Sequence, residues 1–129
     1  MEYELKHGQA LVITGPHGCG KTTLARKIAA RHGTFAEIEA HELSTRFGLG
    51  RALAEEPNTL IVEGFPDNEE TLAEVKAALT GNTILCNLKY QEPRIVKSPN
   101  FIFCSSDENA LHLDAKDRRS FVVRLGDHG

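Results

Sequence analysis

The 129-residue sequence lacks any apolar run close to the roughly 20 residues that a membrane-spanning helix needs. The amino-terminal segment MEYELKHGQA mixes charges of both signs and has no apolar stretch followed by small residues, so it does not resemble a secretion signal. Repeats and low-complexity segments are also absent. These absences predict a soluble, cytoplasmic protein with no membrane partner. The length predicts one domain that occupies residues 1–129.

An excess of positive charge and paired cysteines are missing as well. Fifteen Lys and Arg against eighteen Asp and Glu leave a net charge of -3, so no global positive field attracts nucleic acid and any such contact must be local. Cys19, Cys86 and Cys104 are odd in number and form no CxxC pair, which excludes a disulfide framework and a zinc site. We expect reduced thiols, with Cys86 and Cys104 in the core.

Short apolar runs alternate with segments of helical periodicity along the chain. This alternation predicts a three-layer α/β fold with a central, mainly parallel sheet of about five strands, helices on both faces, and a hairpin before the fourth core strand. A capping box of Asp67 and Glu70 is expected to begin the third helical segment. The hairpin tip is expected at Glu92 and Pro93. Strands are predicted at 10–14, 35–38, 59–62, 101–104 and 121–125, helices at 21–32, 42–53 (interrupted by Gly48 and Gly50) and 67–81, and hairpin arms at 83–88 and 95–96.

A glycine-rich motif, GPHGCGKT, lies between the first predicted strand and the first predicted helix. It fits the pattern GxxxxGK[ST] of a phosphate-binding loop, in which backbone amides at a helix amino terminus hold phosphates. Lys21 would reach the β and γ phosphates, and Thr22 would bind magnesium through its hydroxyl. The alternative is a glycine-rich turn that only begins a helix. The predicted nucleotide-binding residues are Gly15, Pro16, His17, Gly18, Cys19, Gly20, Lys21, Thr22 and Thr23.

An acid follows the apolar strand TLIV directly. Glu63 would carry a carboxylate to the edge of the sheet where the phosphate loop lies, to support magnesium and to orient or deprotonate the attacking water. The alternative is a solvated acid in a turn, and Glu39 and Glu42 are weaker candidates for the same role. Magnesium that arrives with the nucleotide, bound by Thr22 and Glu63, is the only metal that the sequence predicts.

The chain resembles P-loop ATPases of the AAA+ kind, and more narrowly the core of superfamily 3 helicases and related phage or plasmid primase-helicases. Besides GPHGCGKT, the resemblance rests on the segment NFIFCSSDENALHLDAKDRRSFVV, similar to the family pattern of an apolar strand, a polar pair, a variable loop and Arg-Arg-Phe. It implies ATP hydrolysis with magnesium in DNA replication and a homo-oligomeric ring such as a hexamer. By the same resemblance, Ser106 is the sensor of the γ phosphate, and Arg118 or Arg119 completes the site of an adjacent subunit.

The hairpin falls where those helicases place basic and aromatic residues in the central channel. The resemblance implies contact with single-stranded DNA through Lys89, Tyr90, Arg94 and Lys97, because positive charge with a stacking ring suits an unpaired strand. The alternative is a solvated hairpin of a monomer.

The sequence departs from the family pattern in three places. Ser106 replaces the usual asparagine, so Ser105, Asp107 or Asn109 could share its role, and Glu63 is followed by Gly64 instead of a second acid. No helical lid, primase or origin-binding domain is expected.

Two other functions stay open. One is a phosphotransferase of the adenylate kinase type, which GPxGxGK and IVEGFP resemble although Asp67 stands where that class has arginine. The other is a nucleotide-binding regulator with little turnover.

Overall fold

A five-stranded sheet forms the centre of the protein in the computed structural model, which describes residues 10–16, 20–45, 47–64, 68–105 and 120–124. Its strand order is β2-β3-β6-β1-β7, and every neighbouring pair is parallel. A separate antiparallel pair, β4 and β5, forms the hairpin. The strands are β1 (Ala10–Thr14), β2 (Phe35–Glu39), β3 (Thr59–Glu63), β4 (Thr83–Cys86), β5 (Arg94–Lys97), β6 (Asn100–Ser105) and β7 (Ser120–Arg124).

Helices cover both faces of this sheet, which explains the continuous apolar character of β1, β3 and β6. Helix α1 (Lys21–Arg31) packs on one face, where Ile28 joins Leu11, Ile61 and Ile102 in a buried cluster. Helix α3 (Glu69–Gly81) and a short 3-10 helix (Ala40–Ser44) cover the other face. The cluster there consists of Ala10, Val12, Ile38, Leu43, Leu60, Val62, Val75, Ala78, Leu79, Phe101 and Phe103. The three-layer α/β fold with a parallel sheet and a hairpin is therefore confirmed.

The predicted helix at 42–53 is interrupted as expected, but the break lies at Thr45. The segment is divided into the 3-10 helix and α2 (Gly48–Leu53), so Gly48 and Gly50 belong to a helix and do not interrupt it. Thr45 separates them in extended conformation, with its hydroxyl donating to the Glu42 carbonyl at 2.9 Å and accepting from the Gly48 N–H at 3.1 Å. A threonine side chain that bonds to nearby backbone competes with a continuous helix.

The amino terminus of α3 differs from the prediction by one residue. Asn68 is the capping residue, because its side-chain oxygen accepts from the Thr71 N–H at 2.7 Å. Asp67, the predicted cap, lies outside the described residues. Glu69 and Glu70 occupy the first turn, where negative charge favours the helix dipole.

The hairpin is anchored on α2. Leu53 packs with Cys86 and Val96 in a small buried cluster, and the Cys86 thiol donates to the Gly50 carbonyl at 3.4 Å. The arms are β4 and β5: the first ends two residues before the predicted arm does, and the second extends one residue beyond the predicted arm at each end. The predicted tip at Glu92 and Pro93 is also misplaced: the Gln91 N–H donates to the Leu88 carbonyl at 3.2 Å, so Lys89 and Tyr90 occupy the turn.

Both cysteines that lie in the described part of the chain, Cys86 and Cys104, are buried free thiols as expected. Cys19 lies outside it. Within the described ranges, no helix has the length and apolar character that crossing a membrane would require.

Candidate nucleotide-binding site

The carboxyl edge of the sheet gathers the ends of β1, β3 and β6. Thr14 is in register with Ser105, and Glu63 is in register with Cys104. Because β6 lies between β1 and β3, two strand spacings of about 4.8 Å separate the strand of the loop from the strand of the acid. This distance leaves room for a phosphate group and the side chains that would contact it.

The amino terminus of α1 follows the predicted phosphate loop. Gly20 precedes the helix with φ 91°, a conformation that L side chains rarely adopt, while open space surrounds the position where a Cβ would lie. A glycine is therefore required by the backbone conformation. The first turn contains no acidic residue, and no side chain caps it. The positive end of the helix dipole is thus not balanced by a carboxylate within that turn.

Lys21 folds back over the loop that precedes it. Its ammonium donates to the carbonyl of Gly15 at 2.8 Å and to that of Pro16 at 2.9 Å. The side chain is half-buried. These contacts hold a positive charge beside the amino terminus of α1, where an anion is favoured.

Thr22 joins α1 to the end of β3. Its hydroxyl donates to Glu63 Oε1 at 2.6 Å, across 41 positions of sequence. Both residues are partly buried. A hydroxyl and a carboxylate oxygen at this distance are the hard oxygen donors that Mg²⁺ prefers, so the two residues fit the metal predicted for them.

The turn after β3 explains why a single acid ends this strand. Gly64 has φ 95°, and a Cβ at this position would lie 3.3 Å from the Cβ of Ala40. Its N–H donates to the Cys104 carbonyl at 2.7 Å, which fixes the turn against β6. A second acid directly after Glu63 would therefore be strained and crowded.

Cys104 lies beneath the site, and the sequence predicted only that it belongs to the core. Its thiol donates to the Lys21 carbonyl at 3.9 Å. Burial, and secondarily the negative charge of Glu63, raise the pKa of Cys104 to about 12. The group is therefore a neutral thiol at physiological pH and not a reactive thiolate.

An ion pair beside the site was missed by the sequence reasoning. Arg26, one turn after Thr22 on α1, donates to both carboxylate oxygens of Glu37 on β2 at 2.9 Å. The hydrogen bond and the charge of Glu37 raise the pKa of Arg26, and Glu63 contributes in the same direction. The available signal in the sequence was that Arg26 lies four residues after Thr22 and therefore on the same face of α1. Its partner Glu37 could be identified only after β2 had been placed beside α1.

The other acid at this edge lies on the next strand. Glu39 is in register with Glu63, and its Oε2 lies 3.3 Å from His41 Nδ1 at an exposed position.

Thr14 Oγ1 is fully buried, and no described residue offers it a hydrogen bond. Ser105 is buried at the end of β6. The predicted sensor Ser106 and the loop residues His17, Gly18 and Cys19 lie outside the described residues, as do Arg118 and Arg119.

The predicted DNA-contacting residues lie on the hairpin and its turn. Tyr90 is 94% exposed, with the Lys89 ammonium 5.1 Å from its ring centroid. Arg94 donates to the Ala54 carbonyl at 2.8 Å, so part of its guanidinium anchors the hairpin to the segment after α2. Lys97 is exposed at the end of β5.

The structure thus brings Gly15, Pro16, Lys21, Thr22 and Glu63 together, whereas Thr23 is exposed on α1. Groups of three or more His, Cys, Asp or Glu side chains that could hold a metal ion are absent from the part of the chain that is described.

The fold is similar to that of a known protein region. The A form apo structure of the NrS-1 C-terminal region matches with a TM-score of 0.71 and 22% identity over 97% of this chain. A second A form apo structure of that region matches with a TM-score of 0.69 and 24% identity over 95% of this chain. The chain spans only 31% and 29% of the lengths of those two structures. At these identities, the likeness shows a shared fold.

Sequence comparison gives the family. No curated protein sequence matches the chain. The profile of a family of unknown function, DUF5906, matches residues 13–119, a range that contains α1, Glu63, the hairpin and the Arg118-Arg119 pair. The chain therefore belongs to the DUF5906 family.

Proposed function

We propose that this chain is an ATP-binding, magnesium-dependent ATPase module of the helicase-like kind, acting on DNA as a subunit of a ring. The observation that carries the proposal is the 2.6 Å hydrogen bond between Thr22 and Glu63. It joins the helix that follows a GxxxxGK[ST] loop to the acid that ends β3, two strands from β1, and phosphoryl transfer to water uses a hydroxyl and a carboxylate placed in this way.

Each residue has a distinct task in this proposal. Backbone amides at the amino terminus of α1 hold the phosphates, and Lys21 turns from the Gly15 and Pro16 carbonyls toward the β and γ phosphates. Thr22 and Glu63 would hold magnesium, which would neutralise phosphate charge when bound. Glu63 also orients or deprotonates the attacking water. Ser106, just after β6, is the proposed sensor.

The arginine pair is proposed to act on a neighbouring subunit. The strand that follows the pair, β7, begins with Ser120 in register with Ala10, at the amino edge of the sheet. The loop that precedes Lys21 begins at the opposite, carboxyl edge. The start of β7 and the start of the loop thus lie at opposite edges of the sheet, which supports a role of Arg118 or Arg119 in trans, where the charge would stabilise the transition state.

The hairpin supplies the proposed DNA contact. Tyr90 presents an almost fully exposed ring with Lys89 beside it, a pair suited to stacking on a base and neutralising a phosphate. Arg94 adds positive charge at the start of β5. A ring would multiply this small footprint by its subunit number, which reconciles local DNA binding with a net charge of -3.

The test is steady-state phosphate release from ATP and magnesium by the wild type, Lys21→Ala and Lys27→Ala. Lys27 is an exposed lysine on the same helix, so Lys27→Ala should retain turnover. Lys21→Ala should lose it while keeping its circular dichroism spectrum. Stimulation by single-stranded DNA is the expected result for a helicase-like module.

Three other outcomes would contradict the proposal. Formation of ADP from ATP plus AMP would identify a phosphotransferase of the adenylate kinase type. Nucleotide binding that depends on Lys21 but gives no turnover, with or without DNA, would identify a regulator. Equal turnover by wild type and Lys21→Ala would remove the assigned site.

A further inference from the structure

The outward face of the hairpin carries an apolar pair that its own chain leaves exposed. Leu85 is 50% exposed and Ile95 is 72% exposed. They are partners across β4 and β5 and therefore lie on the same face. The other face is covered, because Cys86 and Val96 are buried against Leu53 of α2. One face of this small sheet thus completes the core, and the other faces solvent.

Both strands of the hairpin also have an outer edge. Within the described residues, β4 and β5 pair only with each other. The Ser98 N–H donates to the Asn82 carbonyl at 2.9 Å, one step beyond the register pair Thr83 and Lys97. Since bonded and non-bonded pairs alternate in an antiparallel ladder, the backbone polar groups of Leu85 and of its partner Ile95 point away from the hairpin.

A groove lies beside the edge of β4. It has a volume of about 870 Å³ and runs between this edge, α3, and Ser44 and Thr45 at the end of the 3-10 helix. Its apolar lining includes Leu49, Ile84 and Leu85, and Glu70 and Glu74 of α3 supply exposed negative charge. The groove therefore offers a strand edge, an apolar surface and an acidic wall.

The edge of β5 is complementary to this groove. It carries the exposed apolar side chain of Ile95 and, two residues later on the same face, the exposed ammonium of Lys97. An edge with these groups could add to β4 as a third, antiparallel strand, with apolar contact at Leu85 and opposite charge at α3.

We propose that the occupant of the groove is a second copy of this chain, docked through the edge of its β5. Ile95 of one copy packs on Leu85 of the next, and Lys97 of the first faces Glu70 and Glu74 of the second. Because donor and acceptor surfaces differ, the contact is head-to-tail and repeats from copy to copy, as a ring requires. The inference deepens the ring of the proposed function and rests on it.

In this arrangement the sides and the turn of the hairpin have different functions. Lys97 and Ile95 at its sides join neighbouring copies, whereas Lys89 and Tyr90 at its turn stay exposed. Unpaired strand edges promote uncontrolled association. Each head-to-tail contact covers the β5 edge of one copy and the β4 edge of the next.

Charge reversal tests the contact by sedimentation velocity of the full chain, from low to high micromolar concentration, with magnesium and ATP. Wild type and the control Lys27→Glu, a charge reversal at an exposed position of α1, should associate equally. Lys97→Glu and Glu74→Lys should each weaken association at least tenfold. A mixture of the two single variants, and the double variant Lys97→Glu/Glu74→Lys, should associate again because each reversed edge meets a reversed groove.

A monomeric wild type, unchanged association of either single variant, or failure of both the mixture and the double variant to recover would overturn the inference. Association that Leu85→Asp abolishes but Lys97→Glu leaves intact would show another occupant and overturn it too. Nucleotide binding by wild type and Lys21→Ala, measured in parallel, separates the two proposals. Lys21-dependent binding by a monomer would contradict the interface and the ring but not the nucleotide site, and association without such binding would contradict only the nucleotide site.

Discussion

The contact between α2 and the hairpin makes Gly50→Ala a sharp test of the packing. A Cβ at residue 50 would meet the carbonyl oxygen of Asn87 and lie 2.7 Å from its carbonyl carbon, closer than real Cβ contacts. The obstacle is backbone, so no side-chain rotation relieves it. Either α2 or the hairpin must shift, which separates Leu53 from Cys86 and Val96.

Two opposing contributions set the magnitude. Overpacking of a well-packed contact costs about 1–3 kcal/mol, and a backbone obstacle belongs at the upper end. Alanine favours a helix over glycine by about 1 kcal/mol. We therefore expect Gly50→Ala to lower the free energy of unfolding by about 2 kcal/mol, measured by urea denaturation monitored by circular dichroism.

Gly81→Ala is the matched control. Gly81 ends α3, and a Cβ there would meet no atom within 4 Å. The same substitution should leave stability unchanged or raise it by up to about 1 kcal/mol. If Gly50→Ala were as stable as Gly81→Ala, the close packing of α2 on the hairpin would be refuted.

Two further predictions concern the site. Glu63→Gln should lower kcat for ATP by about 10²-fold or more with nucleotide binding retained, because the amide is a weaker metal ligand and a weaker base than the carboxylate. The control Glu39→Gln, on the adjacent strand, should retain turnover. Equal losses of kcat in the two variants would contradict the role assigned to Glu63. For Cys104, the unfolded thiol ionises near its ordinary value of 9.0 and the folded thiol only near 12, so stability is full below pH 9 and falls as pH rises toward 12. Urea denaturation at pH 8 and pH 10 should show an extra loss of about 1 kcal/mol in wild type relative to Cys104→Ala, and equal losses would show that burial does not hold the proton.

Much of the fold could be predicted from the sequence because its strands are short apolar runs with distinct ends. Residues 10–14 match β1 as predicted, and Glu63 proved to be the last residue of β3. The convergence of Thr22 and Glu63 followed from one rule, that parallel strands bring their carboxyl ends to one edge. That rule needs no knowledge of strand order.

Features that depend on a single hydrogen bond could not be predicted. Thr45 divides the second helical segment, and Asn68 caps α3 where Asp67 was expected, because such choices among neighbouring polar residues differ by small energies. The left-handed conformation of Tyr90, with φ 64°, moved the hairpin turn away from Pro93. The pair of Arg26 and Glu37 required tertiary placement of β2 beside α1.

The position of β6 has a consequence for how the chain is made. β1 has its two sheet neighbours, β6 and β7, near the far end of the sequence, and β3 meets β1 only through β6. A nascent chain leaving the ribosome can pair β2 with β3 early, but β1 stays without a sheet partner until residues 100–105 have emerged. Such distant pairing slows folding. Thr22 and Glu63 can therefore be joined only after β6 has been made, and the proposed nucleotide site forms only in chains whose β1, β6 and β3 have paired.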